Sequence, residues 1–253
     1  MQAIILAAGV GTRLHDRRGR PKALQEVGGV PLVHHQLAAL ADAGVTDVTV
    51  VVGHAQQQMR AELGDSVRYV VNPAFRETNS MYSFLLAGQR VRDDVIVLNC
   101  DVFLHPGLLG RLVAADGDAL LYDSTSGDED EQMKVSVSGD RLVEMSKEMP
   151  EDEVRGENVG VLRLTARTVT EVVAAARAIL ATGDRRAWLA AAINRVTARH
   201  AITCLDVAPW PWVEIDFPED LVRARAEVLP AMAPALEAIE AEYDEPVILR
   251  SVR

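Results

Sequence analysis

Cysteine is nearly missing from this chain: Cys100 and Cys204 are the only two in 253 residues. Neither sits in metal-ligand spacing, so no disulfide framework and no zinc motif can be built, and both read as reduced core residues of a cytoplasmic protein. Basic residues are outnumbered, with 26 Lys and Arg against 37 Asp and Glu and a formal charge of −11. That balance argues against a nucleic-acid-binding surface. Any basic site must be local, and Arg13, Arg17, Arg18, Arg20 and Lys22 supply one. No apolar stretch is long enough to span a membrane, and Met1-Gln2 lacks the basic start of a signal peptide. The six histidines form no metal pattern: His34-His35 face different sides of one expected helix, and His15 falls in a loop. No Ser–His–Asp arrangement can be read.

What the chain does have is a core. Hydrophobic residues make up 49% of it, enough for one large α/β domain. Apolar β-branched segments at Ala3–Ala7, Val48–Val52, Val67–Val71 and Val95–Asn99 alternate with expected helices at Pro31–Ala43, Ala55–Leu63 and Ser80–Gln89. This order predicts a mostly parallel sheet with helices on both faces. The middle differs. Ser124–Glu131 is polar and acidic, and two alternating segments, Met133–Ser138 and Arg141–Met145, flank a Gly139-Asp140 hairpin signal. Val159–Leu164, helices over Thr168–Ala181 and Arg186–Thr197, and strands at Ile202–Val207 and Trp212–Ile215 follow. The expected organisation is a domain over 1–217, with an acceptor-side loop and hairpin at 124–164. A helical tail over 218–253, interrupted at Pro230 and Pro234, would pack on the domain or on a partner subunit in a homodimer.

The chemistry is concentrated near the start. The first strand breaks into Leu6-Ala7-Ala8-Gly9-Val10-Gly11-Thr12-Arg13-Leu14, and Arg20-Pro21-Lys22 follows. A strand running into a glycine loop offers backbone N–H groups to phosphate oxygens. Arg13 adds a planar fork and Lys22 a point charge. The spacing is neither G-x-G-x-x-G nor a P-loop. An ordinary turn could hold the glycines, but it would leave Arg13 and Pro21-Lys22 unexplained.

This run resembles the signature of the nucleotidyltransferases that activate sugar phosphates and related phosphorylated alcohols. The resemblance implies a Rossmann-like fold of the GT-A type and transfer of a nucleoside monophosphate to a phosphorylated acceptor, with release of pyrophosphate. It also implies roles. Leu6, Ala7, Ala8, Gly9, Gly11 and Thr12 would cradle the nucleotide, Arg13 would hold the departing pyrophosphate, and Lys22 would stabilise charge on the α-phosphate. Asp101 and Asp216 end separate strands, at the sheet edge where ligands bind. Such a pair suits Mg²⁺, although either Asp could merely cap a turn. Their contexts, Asn99-Cys100-Asp101 and Val213-Glu214-Ile215-Asp216, are similar to the family's metal motifs, with Cys100 standing where many relatives carry glycine.

Asn79-Ser80-Met81-Tyr82-Ser83 is similar to the N-x-x-Y-S segment of the phosphocholine cytidylyltransferase branch. It draws the expectation toward CTP, with Asn79 and Ser80 beside the nucleotide; capping the following helix is the plainer role for Asn79. Lys134, Lys147, Glu157 and Asn158 lie in the region that lines the acceptor pocket of such enzymes. Trp210, Trp212, Tyr82, Tyr122 and Trp188 could wall a cationic head group, and the acidic run Asp128–Glu131 could attract one. Tyr82 and Trp212 join the four hairpin-region residues as expected acceptor contacts. An anionic or neutral acceptor, such as a phosphonate or polyol phosphate, fits as well. UTP or dTTP with a sugar 1-phosphate, or nucleotide sensing without turnover, are the alternative functions.

Overall fold

The computed structural model describes residues 1–14, 19–126 and 132–234. The chain begins with β1 (Gln2–Ala7), followed by 3₁₀ turns at Thr12–Leu14 and Lys22–Leu24. Two short strands, β2 (Glu26–Val27) and β3 (Val30–Pro31), lead into α1 (Leu32–Asp42). Then come β4 (Asp47–Val52), α2 (Gln56–Leu63), β5 (Arg68–Val71), α3 (Ser80–Gly88) and β6 (Val95–Asn99). After these follow β7 (Val102–Leu104), α4 (Gly107–Ala114), β8 (Asp118–Asp123), β9 (Lys134–Ser138), β10 (Arg141–Ser146) and β11 (Gly156–Leu164). The described chain closes with α5 (Ala166–Ala181), α6 (Leu189–Asn194), β12 (Ile202–Asp206), β13 (Trp212–Glu214) and α7 (Pro218–Arg223).

A nine-stranded sheet in the order β5-β4-β1-β6-β11-β8-β12-β10-β9 runs through the centre. Alternation along its strands feeds two cores. Ile4, Leu6, Val95 and Val97 face α3, α5 and α6, while Ala3, Ile5, Ala7, Ile96 and Leu98 face α1, α2 and α4. Both faces are therefore covered, which is why these strands read as continuous apolar runs. Gly44 (φ +79°) stops α1, its N–H bonding Ala41 O at 2.9 Å while Val45 N bonds Leu40 O at 2.8 Å. Such a left-handed glycine closes a helix without a Cβ penalty.

The sheet is mixed rather than mostly parallel. Pairings β1–β4, β1–β6, β4–β5 and β8–β12 are parallel. However, β11 is antiparallel to both β6 and β8, and β10 is antiparallel to β9 and β12. Strand direction follows the connection: a tight hairpin forces antiparallel pairing, whereas parallel neighbours need a crossover. The expected hairpin forms as β9–β10 but is not a separate unit, because Arg141 pairs with Thr203 and Gly156 with Val135.

The tail also corrects an expectation. The helix begun by α7 runs through Pro230 to residue 234. A π-turn at Ala224–Val228 precedes the proline, and such widening accommodates a residue that cannot continue the i→i−4 ladder. Ala224, Val228 and Met232 pack with Val27, Phe103 and Ile215, so this part of the tail lies on the domain. Residues 235–253 lie outside the described segments, as do Arg17, Arg18, His15 and the run Asp128–Glu131.

Candidate active site

A cleft of about 340 Å³ opens at the carboxyl ends of β1 and β6. Leu6, Ala7, Ala8, Gly9, Gly11, Thr12 and Arg13 form one wall, and Lys22, Asp101 and Asp216 stand at its base. Every residue expected to bind the nucleotide is therefore in one place. Gly11 adopts φ +63°, and a Cβ there would come within 2.8 Å of the Lys22 side chain. This glycine lets the loop turn and leaves passage for the lysine.

Asn79 and Ser80 line the cleft and also hold the fold. Asn79 Oδ1 accepts from Ser80 N at 2.9 Å, and Ser80 Oγ accepts from Leu189 N at 2.9 Å. Asn72 and Phe75, which the sequence reading did not single out, share this wall. Asn72 is 1% exposed and donates to Thr78 Oγ1 and Ser83 Oγ, each at 3.1 Å.

The electrostatics are dominated by three carboxylates. Asp101, Glu214 and Asp216 each place an oxygen within 4.8 Å of the others. Lys22 Nζ lies 3.1 Å from Asp101 Oδ2 and also donates to Asp216 Oδ1, and Arg13 Nη1 donates to Asp216 Oδ2 at 3.0 Å. Burial alone would lower the Lys22 ammonium, but the Asp101 and Asp216 charges outweigh it and raise Lys22 above its ordinary value. Glu214 is pushed well above the usual carboxylate range by burial, and then by the charges of Asp101 and Asp216. Burial, with Asp101 adding to it, also raises the Cys100 thiol, keeping it neutral beside the carboxylates.

These groups fit a hard divalent cation. The donors are carboxylate oxygens, the set that magnesium favours. Asp101 Oδ1 is buried with no hydrogen-bond partner, a costly state that a cation would relieve. Glu214 was not assigned in advance, although its signal was present: in Val213-Glu214-Ile215-Asp216 the period of two places Glu214 and Asp216 on one face. Asp220 Oδ2 accepts from Asp216 N at 2.9 Å and Phe217 N at 2.7 Å, fixing the turn that carries Asp216.

The acceptor-side expectations divide. Lys147 and Asn158 line the cleft, together with Met133, Met145 and Trp188. Lys147 Nζ lies 5.1 Å from the centre of the Trp188 ring. Tyr82, Lys134, Glu157 and Trp212 stand outside this lining. Tyr82 packs against the core, Lys134 and Glu157 are buried opposite one another in the β9–β11 register, and Trp212 Nε1 donates to Asp123 Oδ2 at 2.7 Å. Trp210 meets His105 edge-on, with ring centres 4.3 Å apart. Both tryptophans are thus committed to packing contacts, and Tyr122 joins the core below the sheet.

A glycine loop with two cations facing clustered carboxylates thus lines the cleft. The sequence matches the MobA-like NTP transferase domain over residues 3–201, and the chain belongs to that family. It is 40% identical over 121 residues to the CMP-5'-(3-aminopropyl)phosphonate synthase of Streptomyces rubellomurinus, covering 46% of this chain and 19% of that protein. It is 31% identical over 237 residues to the bifunctional IPC transferase and DIPP synthase of Rubrobacter xylanophilus, covering 90% of this chain and 52% of that one. Against the choline-phosphate cytidylyltransferase of Streptococcus pneumoniae it is 35% identical over 101 residues, 38% of this chain and 43% of that one. The chain spans about half or less of these relatives' lengths. In fold it superposes on the inositol-1-phosphate CTP transferase of T. maritima with a TM-score of 0.77 at 23% identity, covering 94% and 96% of the two chains. Among the described residues no helix is long and apolar enough to cross a membrane.

Proposed function

We propose that this protein is a magnesium-dependent cytidylyltransferase that transfers CMP from CTP to a small phosphorylated or phosphonate acceptor and releases pyrophosphate. The observation that carries the reading is the convergence of Arg13 and Lys22 on Asp101, Glu214 and Asp216 beside the glycine loop. The preference for CTP rests on the relatives, two of which are named CMP-5'-(3-aminopropyl)phosphonate synthase and choline-phosphate cytidylyltransferase.

In this reading an acceptor phosphate or phosphonate oxygen attacks the α-phosphorus of CTP. A new P–O bond forms, the bond to the β-phosphate bridging oxygen breaks, and pyrophosphate leaves with its electron pair. The acceptor is already an anion, so no protein nucleophile is needed, and positioning with charge stabilisation supplies the catalysis. Asp101, Glu214 and Asp216 would hold the Mg²⁺, which when bound supplies positive charge to the phosphate oxygens. Arg13 binds the departing pyrophosphate. Lys22, the more enclosed of the two cations, stabilises the charge growing on the α-phosphate. Backbone groups of Ala7 to Thr12 orient the nucleotide. Lys147, at the far side of the cleft, neutralises the acceptor.

The test is pyrophosphate release from purified protein and Mg²⁺, with CTP, UTP, dTTP, ATP and GTP offered against phosphocholine, phosphoethanolamine, 2-aminoethylphosphonate, inositol phosphate and sugar 1-phosphates. Release with CTP and one acceptor class is the expected outcome. Release only with UTP or dTTP and a sugar phosphate would overturn the cytidylyl assignment.

A further inference from the structure

Asp101 sits in a two-residue turn between β6, which belongs to the large sheet, and β7, which among the described residues pairs with β13 alone in a separate ribbon. That ribbon carries Glu214 opposite Val102 and leads directly into Asp216. The spacing of the three carboxylates therefore depends on how the ribbon is held against the sheet at this turn. One buried side chain spans it. Gln36, on α1 and 2% exposed, donates through Nε2 to Asn99 O and to Val102 O, both at 2.8 Å. Those carbonyls flank Cys100-Asp101, and the carbonyl between them, Asp101 O, accepts from Ile215 N at 2.9 Å. Only the NH₂ group of the amide can donate to two carbonyls, so the orientation of Gln36 is determined. Its Oε1 is buried without a partner, which leaves the two donations as what aims this side chain.

We infer that Gln36 is the positioning residue of the carboxylate cluster, clamping the β6–β7 junction so that Asp101 meets Glu214 and Asp216 at cation-binding distance. Groups that orient metal ligands without touching the metal tune affinity through the ligand they hold. A residue that only satisfied two buried carbonyls would affect stability alone, and the experiment separates the two roles.

The inference rests on the metal-site reading above, and not on the choice of triphosphate or acceptor. Direct Mn²⁺ titration by electron paramagnetic resonance reads it without any substrate. Gln36→Met preserves side-chain length and removes both donations. It is expected to weaken Mn²⁺ binding about tenfold or more, and to reduce turnover in a way that raised Mg²⁺ restores, with the KM for CTP within about twofold of the parent. Thr168→Val is the stability control. Thr168 is fully buried away from the cleft and bonds Asp118 Oδ2 at 2.6 Å and His200 Nδ1 at 2.8 Å. This variant should lower the melting temperature yet bind Mn²⁺ as the parent does. If Gln36→Met does not fold, Gln36→Asn keeps an amide that is one methylene too short to span both carbonyls. A folded Gln36 variant with parental Mn²⁺ affinity would overturn the clamp. A parent protein that binds no Mn²⁺ would overturn the clamp and the metal site together. Weakened Mn²⁺ binding in a protein that releases no pyrophosphate would support the clamp while removing the proposed substrates.

Discussion

Lys22 illustrates how one side chain can hold a charged site together. It is 16% exposed and bridges Asp101 and Asp216, so it compensates carboxylates that would otherwise repel one another. Lys22→Met should reduce pyrophosphate release by about 10²- to 10³-fold, the usual effect of removing a preorganised charge from a transition state, while the far-ultraviolet circular dichroism stays unchanged. Glu214 gives a pH prediction. Its folded value is raised, so its contribution to stability is fully present below the ordinary carboxylate range and is lost as pH rises through the raised value. Asp101, Asp216, Lys22 and Glu157 are the charges that act on it. In EDTA, the melting temperature of the parent should therefore fall more steeply with rising pH than that of Glu214→Gln, and Mg²⁺ should erase the difference. Most residues that meet in the cleft were legible at this scale, because Arg13, Lys22, Asp101 and Asp216 each follow a strand or glycine loop that a parallel α/β order brings to one sheet edge. Gln36 was not legible: a glutamine in an apolar helix carries no mark of the carbonyls it will meet.

Among the elements, the early strands and helices were read within a residue or two, since buried β-branched runs and a helix stop at Gly44 leave little choice. The β7–α4–β8 stretch was missed. Helix α4 contains Gly107 and Gly110, which weaken its helical signal, and β8 is bounded by Asp118 and Asp123, which read as turn residues. Strand direction was also hidden, because a strand has the same side-chain period whichever way it runs. The partner of Trp212 was hidden for a related reason: alternation in β13 orients its side chain, but Asp123 comes from the end of β8 in the other sheet. Trp212→Phe should cost about 1.5–3 kcal/mol by denaturant titration, the range of a hydrogen bond to a charged group, and should leave the KM for the acceptor unchanged.

For the whole molecule, the governing fact is that the site is assembled from both ends of the fold. Ligand binding should therefore stabilise the entire domain. At about a hundred times its dissociation constant, CTP with Mg²⁺ should add about 2.7 kcal/mol. For a domain of this size that is a rise of about 5–10 °C in melting temperature, read by calorimetry, and Asp216→Asn should reduce it. Sequence alone gave the α/β class and the cleft, whereas the packing of the tail required the third dimension. Arg225 donates to Glu26 O at 2.6 and 3.0 Å, and Leu229 covers Gly28, so the helix after Asp216 is fastened over the β2–β3 turn. This closure has a consequence for biosynthesis. A chain emerging from the ribosome displays the glycine loop about two hundred residues before Asp216 and the helix that follows it. Until then a growing chain lacks the acid that completes the carboxylate cluster, so the cation-binding set exists only once the segment after β13 has been made.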